Sequence, residues 1–191
     1  DYHPEEFKFN SIPCQFGNFN AGLPYEDNTF DVVCCIEVIE HIEDQFQLLR
    51  EAYRITKPGG ITVLTTPNIM NINSRLAFLG HGLFSLYDIL PVSGDKVSIH
   101  GHIHPISYYF LSFMAKKAGF KKIEFYSDRV KRSSLFWMIF LYPFIFLSKI
   151  RYYLKIRLKE PDLLQENEAD LKIMNSFKML TCRTAILKLL K

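Results

Sequence analysis

The sequence predicts an α/β fold built on a mainly parallel sheet with flanking helices. Strand-like apolar runs alternate with segments of helical periodicity, and this alternation is typical of parallel strands that are joined by helices. A chain of 191 residues that is 48% hydrophobic also fits one globular domain, 1–191, with a sizeable core. The predicted strands are 12–16, 30–36, 61–66, 122–126 and 180–189.

The second predicted strand, 30–36, is unbroken in its apolar character over 32–36. Such continuity predicts a central strand that is covered on both faces. A helix should follow, because apolar residues recur at helical spacing before the Lys-Pro-Gly-Gly turn at 57–60. Those apolar residues are Ile42, Phe46, Leu49 and Tyr53.

A second helix is predicted to begin after Ser107, a favourable N-cap residue, and to end at Gly119. Its periodicity predicts that Phe110, Phe113 and Met114 face the core. The two predicted helices would then both pack against the sheet.

Residues 129–179 are predicted to form an apolar and basic insertion before the last strand. The apolar run 135–147 contains Pro143 and is shorter than the roughly 20 residues that span a bilayer. Because basic residues flank this run, 129–159 is expected to be a peripheral anchor on the inner face of a membrane. The alternative is that the segment covers the sheet edge or a homodimer interface. The acidic stretch 160–170 is expected to be a solvated helix or a linker.

Charge and cysteine usage narrow the class of protein. A formal net charge of +3 is too small to indicate a nucleic-acid partner. The four cysteines lack the paired spacing of a metal site, and two of them are adjacent in an apolar run, which favours a reducing, cytoplasmic setting. The chain begins at Asp1 without the charged and apolar leader of a signal peptide, and we expect the polypeptide to extend upstream.

Several motifs follow one another in an order that is specific as a set. They are Leu-Pro-Tyr-Glu-Asp-Asn-Thr-Phe-Asp-Val-Val at 23–33, Glu-Val-Ile-Glu-His at 37–41, Leu-Leu-Arg-Glu-Ala-Tyr-Arg at 48–54, the turn at 57–60 and Thr-Thr-Pro-Asn at 65–68. This succession resembles the class I S-adenosylmethionine-dependent methyltransferases over about 1–127, and 181–188 resembles the last strand of that family. The resemblance implies a Rossmann-like fold, S-adenosyl-L-methionine as cofactor and methyltransferase activity.

The resemblance also implies what the sequence lacks. In that family a glycine-rich loop after the first strand lies closest to the cofactor, and no Gly-x-Gly pattern occurs before Phe30. We therefore expect the first strand and its loop to lie some tens of residues upstream, and the 191 residues alone to bind cofactor poorly.

The cofactor-binding candidates come from positions that match the family. Asp1 resembles the acid that binds the ribose hydroxyls, Asn18 can accept a hydrogen bond from the adenine amino group, and Phe19 can pack on the adenine ring. The resemblance also implies that Glu37 and Val38 line the methionine end of the cofactor, and their place directly after a predicted strand agrees with ligand binding at the carboxyl ends of parallel strands.

The predicted catalytic residues are two histidines. Glu37 and His41 are four residues apart, so that a carboxylate on the same helical face can orient an imidazole base; capping a helix is the alternative role. The resemblance implies that the segment 100–105 closes over the acceptor, and there His104 is the second candidate base. Metal binding by the histidines of the segment 100–105 is disfavoured, because no carboxylate is obvious near them in the sequence.

The acceptor side is predicted less specifically. His102, Arg75 and Tyr87 are the substrate-binding candidates, because the long segment 68–95 would form the rest of a lid. The predicted reaction is methylation, most simply of a hydroxyl, on a small-molecule, glycan or lipid-linked acceptor. The alternative is a non-catalytic relative that serves as a binding or scaffold protein.

Overall fold

A computed structural model describes residues 8–9, 11–18, 22–91 and 101–191. Within these residues, four strands form one sheet with helices around it. The strands are β1 (Phe30–Ile36), β2 (Thr56–Pro67), β3 (Lys122–Ser127) and β4 (Thr184–Leu190). The helices are α1 (Gln45–Ile55), α2 (Ile72–His81), α3 (Tyr108–Ala118), α4 (Arg132–Lys159), α5 (Pro161–Met174) and α6 (Phe177–Thr181), and a 3-10 turn lies at Ile39–His41.

The strand order is β1-β2-β4-β3. β1 pairs with β2 in parallel, whereas β4 runs antiparallel to both β2 and β3. β1, β2 and β3 therefore run in one direction and β4 in the other. This arrangement confirms the predicted α/β class, and it places the carboxyl ends of β1 and β2 side by side at one edge of the sheet.

Two strand predictions are wrong. Among the described residues, 12–16 form no strand, because a strand persists only where a neighbour accepts and donates its backbone hydrogen bonds. β1 is not covered on both faces either: Val32 and Ile36 are each 53% exposed, and Cys35 is the buried residue of the strand. In the described sheet β1 is an edge strand.

The core lies between the sheet and the helices α1 and α3. In α1 the buried apolar residues are Leu48, Leu49, Ala52 and Ile55, and Asp44 caps the helix by accepting the Gln47 N–H at 2.9 Å. Arg54 of the same helix pairs with Glu51 at 2.8 Å and also donates to the Leu23 carbonyl at 3.1 Å, which ties the helix to the preceding loop. Leu48, Leu49 and Ala52 belong to the same buried apolar cluster as Leu64 of β2 and Leu187 of β4.

The inward face of α3 differs from the prediction. Leu111, Met114 and Ala115 are buried, whereas Phe110 is 60% exposed and Phe113 is 41% exposed. Both faces of this helix carry apolar residues, so the helical periodicity of the sequence is compatible with burial of either face. The small side chain of Ala115 lets the observed face pack more closely on the core. The helix begins after Ser107 and ends at Gly119, as predicted.

The predicted insertion consists of three helices. α4 is 28 residues long and continues through Pro143, and its principal contacts are with α2, α5 and α6. Ser134 is its one buried residue. By length and composition, α4 is the helix within the described residues that could cross a membrane.

The acidic stretch is neither a linker nor fully solvated. It forms most of α5, which packs on α3 through the buried Asp170. The carboxylate of Asp170 accepts hydrogen bonds from Tyr108, Ser112 and Lys116 at 3.2, 2.9 and 2.6 Å. The insertion is thereby fastened to the core.

Candidate functional site

The turn after β1 is held in a strained conformation. Glu37 has a φ of +51°, which is uncommon outside glycine and costs on the order of 1–3 kcal/mol. Its N–H donates to the Thr65 hydroxyl at 3.0 Å, and that hydroxyl donates to the Glu37 carboxylate at 3.0 Å. The pair fixes a carboxylate at the carboxyl ends of β1 and β2, where ligands of parallel sheets bind.

The 3-10 turn that follows brings two more polar residues to this edge. Ile39 is fully buried and anchors the turn in the core, so Glu40 and His41 are held in place beside it. The Glu40 carbonyl accepts the N–H groups of Ile103 and His104 at 2.9 and 3.1 Å. A segment some sixty residues further along the chain is therefore fastened onto the turn.

Each histidine near this edge uses its Nδ1 atom in the same way. The Nδ1–H of His41 donates to the Gly101 carbonyl at 3.0 Å, and that of His102 donates to the Leu86 carbonyl at 2.5 Å. The corresponding bond of His104 goes to the Ile42 carbonyl at 2.8 Å. A carbonyl can only accept, so in the neutral rings the Nε2 atoms carry the free lone pairs.

Glu40 is the most unusual residue of the site. It is fully buried, and among the described residues neither carboxylate oxygen has a partner in hydrogen-bonding geometry. Burial raises the pKa of this carboxyl, and the negative charge of Glu37 adds to the increase. The Nε2 atom of His102 lies 4.0 Å from one of its oxygens.

Aromatic contacts close one side of the site. The ring centroids of His41 and His102 are 4.8 Å apart, and those of Tyr87 and His102 are 5.1 Å apart. Tyr87 is 4% exposed, its hydroxyl donates to the His104 carbonyl at 3.4 Å, and burial raises its pKa. Glu40, His41, His102 and Tyr87 are hereafter called the polar cluster.

Three predicted residues thus come together: His41, His102 and Tyr87. The predicted pairing of Glu37 with His41 is wrong, because the chain forms a 3-10 turn rather than an α-helix there, and Thr65 takes the Glu37 carboxylate. Glu40 was not among the predicted site residues. The signal for its role lay in the adjacency of Glu40 to His41, but its burial depends on the distant segment at 101–104.

Other predicted site residues lie elsewhere. The His104 ring lies against Ile42 and lines a separate surface cavity with Gln45 and Met114. Asn18 forms an isolated bridge with Gly22. Val38 does lie next to Glu37 after β1, where it is half-buried against the core. Asp1 and Phe19 lie outside the described residues.

Arg75 lies beside a second cavity, of about 490 Å³, between α4 and α5. Its guanidinium donates to the carbonyl of Met70 at 2.8 Å and to the amide oxygen of Asn175 at 3.2 Å, and burial lowers its pKa. Among the described residues its hydrogen-bond acceptors are all neutral. The cavity is lined largely by apolar and aromatic side chains, including Phe144 and Tyr152.

Comparison with known proteins gives the context of this site. Residues 4–64 match the model of a protein family described as a methyltransferase domain. Over 61 residues the chain is 39% identical to a Mycolicibacterium smegmatis protein named "Probable S-adenosylmethionine-dependent methyltransferase", and the match covers 32% of this chain and 23% of that protein. Over 51 residues it is 46% identical to the ubiquinone biosynthesis O-methyltransferase of Pseudomonas entomophila, covering 27% of this chain and 22% of that protein.

A solved structure extends the likeness to most of the chain. A Thermotoga maritima protein described as an S-adenosylmethionine-dependent methyltransferase, possible histamine N-methyltransferase, superposes with a TM-score of 0.50. The superposition covers 89% of this chain and 60% of that one, at 15% sequence identity. It shows a common fold, and the matched segments span less than a quarter of the length of the two curated relatives above.

Proposed function

We propose that the chain is part of an enzyme that methylates a hydroxyl group. The chain has the fold of the class I S-adenosylmethionine-dependent methyltransferases, and residues 4–64 match a methyltransferase domain. The observation that carries the proposal is the polar cluster at the carboxyl ends of β1 and β2. It offers imidazole and carboxylate groups where a hydroxyl must be positioned and lose its proton. The O-methyltransferase name of one relative supports an oxygen acceptor.

The residues at the end of β1 fit the cationic end of S-adenosylmethionine. Glu37 is exposed, and its carboxylate is fixed by Thr65, so a negative charge stands at the strand end where the methionine portion is expected. When bound, this cofactor supplies a methyl group on a positively charged sulfur. Glu37 then attracts the cation, and Val38 supplies an apolar wall from the adjoining backbone.

Titration of S-adenosylmethionine, which carries the positively charged sulfur, into the full-length protein tests the cofactor assignment. We expect Glu37→Gln to weaken binding roughly tenfold, because a charged hydrogen-bond partner contributes about 1.5–3 kcal/mol. Glu43→Gln is the matched control, since Glu43 is also exposed but lies beyond the 3-10 turn. Equal affinity of the two variants would show that Glu37 does not contact the cofactor, and no binding at all would favour the scaffold role.

We also propose that the acceptor is lipid-linked and is met at a membrane surface. Residues 133–148 of α4 carry no charge, and most of their large apolar side chains are exposed, among them Trp137, Ile139 and Phe140. This stretch is about 24 Å long, less than the roughly 30 Å of a bilayer core, so lying in the interface is favoured over crossing it. Cations precede the stretch and follow it, where they can meet anionic headgroups.

Arg75 supports a phosphate-bearing acceptor. Its cation has only neutral acceptors among the described residues, and it adjoins the apolar cavity formed with α4. A lipid-linked phosphate would place its charge near the guanidinium and its chain along the aromatic wall.

The single tryptophan of the chain, Trp137, reports on membrane binding directly. Vesicles of anionic phospholipid should shift its fluorescence to shorter wavelength, because the ring leaves water for the acyl boundary. Phe140→Asp should weaken vesicle binding by about tenfold or more, since it replaces roughly 2 kcal/mol of apolar transfer by a charge. Gln165→Glu on α5 is the control for charge alone, because it also adds one negative charge but at an exposed polar position, and an unshifted spectrum would rule out insertion of α4.

A further inference from the structure

We propose that Glu40, His41 and His102 form a binding site for one divalent transition-metal ion, which takes the acceptor hydroxyl as a further ligand. The inference deepens the proposed function, on which its catalytic part rests. One potential ligand atom from each of the three residues lies within 4.8 Å of the others. The cluster spans two segments of the chain that are tied by backbone hydrogen bonds to the Glu40 carbonyl.

The histidines are oriented as metal ligands are. His41 and His102 donate their Nδ1–H groups to the carbonyls of Gly101 and Leu86, which leaves the Nε2 lone pairs free. In metal sites the second ring nitrogen commonly makes such a bond, because it fixes the tautomer and the ring orientation. The Nε2 atom of His102 faces the Glu40 carboxylate at 4.0 Å.

Glu40 supplies the charge that a cation requires. Its carboxylate is fully buried, and among the described residues it has neither a hydrogen-bond donor in geometry nor a lysine or arginine partner. A buried carboxylate is unfavourable unless it is paired, and a divalent ion pairs it more strongly than a single imidazolium does. A simple ion pair between Glu40 and protonated His102 is the competing explanation.

The donor set restricts the metal. Two imidazole nitrogens and one carboxylate oxygen suit Zn²⁺, Co²⁺ and similar ions better than Mg²⁺, which prefers oxygen ligands. Donors around tetrahedral zinc stand about 3.4 Å apart, so small side-chain rotations must bring the present atoms closer. Three protein ligands leave an open coordination position, as in catalytic rather than structural zinc sites.

An ion in this position would lower the pKa of a bound hydroxyl. The hydroxyl releases its proton to solvent, and its oxygen then forms a bond to the methyl carbon of S-adenosylmethionine. The carbon–sulfur bond breaks with its electron pair going to sulfur, which becomes neutral S-adenosylhomocysteine. The products are the methyl ether, S-adenosylhomocysteine and one proton. The imidazoles then act by holding the ion and not by accepting the proton.

Calorimetric titration of Zn²⁺ into the chelator-treated full-length protein tests the site without requiring activity. We expect one ion to bind per chain, and His41→Asn and His102→Asn each to weaken binding at least a hundredfold. Asparagine can retain a donor to the same carbonyl while removing the Nε2 ligand, so the fold is preserved. His81→Asn is the control, because His81 is exposed at the end of α2 and should leave the affinity unchanged.

Substituting Co²⁺ gives a second readout, since ligation by imidazole changes its visible absorption spectrum, and the His41→Asn variant should lose this change. Absence of Zn²⁺ binding, or binding that both cluster variants retain, would overturn the metal site and leave the ion pair of Glu40 with His102 as the explanation. Metal binding without methyl transfer would sustain the site while rejecting the proposed function. Methyl transfer that persists in excess chelator would overturn the catalytic part of the inference.

Discussion

Asp170 is expected to be the main polar attachment of the helix α5 to the α/β core. Its carboxylate is 6% exposed and accepts hydrogen bonds from the buried hydroxyls of Tyr108 and Ser112 and from Lys116. Asp170→Ala leaves the two hydroxyls without this acceptor, and each such loss costs about 1–3 kcal/mol. The Lys116 side chain is 46% exposed, so its ion pair adds less than about 1 kcal/mol.

The sum for Asp170→Ala is a decrease of about 2–7 kcal/mol in the free energy of unfolding. With a denaturant slope of about 2 kcal/mol per molar, the urea midpoint of the full-length protein should fall by roughly 1–3 M. Asp170→Asn keeps one acceptor oxygen and should lose less. Glu166→Ala is the control on the exposed face of the same helix, and equal midpoints for Asp170→Ala and Glu166→Ala would refute the reasoning.

Two further predictions concern glycines and acid stability. Gly119 has a φ of +115°, and a Cβ there would lie 2.7 Å from the Tyr53 ring, so Gly119→Ala should destabilise the fold by about 1–3 kcal/mol. Gly80→Ala should instead stabilise the fold by roughly 0.5–1 kcal/mol, because no atom lies near a Cβ at that helical position. Thermal unfolding measures both variants, and equal shifts of the two melting temperatures would contradict the geometry. The Arg54 hydrogen bonds lower the pKa of Glu51, so its contribution to stability is present above the unfolded pKa of about 4.3 and is lost as pH falls through the lower folded value. Glu51→Gln should therefore flatten the acid-unfolding curve below pH of about 5, and an unchanged curve would exclude this source of pH dependence.

The sequence predicted the elements that depend on local pattern. The strand at 30–36 has the predicted bounds, and the helix from Ser107 to Gly119 begins and ends where its capping residues indicate. The resemblance to methyltransferases is confirmed over 4–64 by the family match, and the predicted fold is confirmed by the solved structure. These features could be predicted because each is determined by neighbouring residues.

The predictions that were wrong concern features that depend on distant residues. The run at 12–16 has strand-like composition, but a strand also needs a neighbour, and no pattern within five residues specifies one. The face of α3 was ambiguous because Leu111 and Phe110 both lie on apolar stripes, and packing against α1 and α5 decided between them.

The polar cluster illustrates the same limit for the site. Glu40 and His102 are about sixty residues apart in sequence, and their proximity follows from the N–H groups of Ile103 and His104 that bind the Glu40 carbonyl. The segment 100–105 contains no acidic residue, so its sequence gave no indication of a nearby carboxylate. The carboxylate is supplied by the turn after β1. The roles of His41 and His104 as bases stay predictions.

The helix α2 lies between the polar cluster and the insertion. It begins shortly after β2 ends, and Asn71 caps it by accepting the Ser74 N–H at 2.9 Å. On one side, the Ser74 hydroxyl accepts the Ser85 N–H at 3.0 Å, two residues before Tyr87 of the cluster. On the other side, Asn73 donates to Ser133 of α4 at 2.6 Å. Hydrogen bonds of one helix therefore connect the surface that is proposed to meet the membrane with the residues that are proposed to hold the acceptor. This connection does not pass through the sheet.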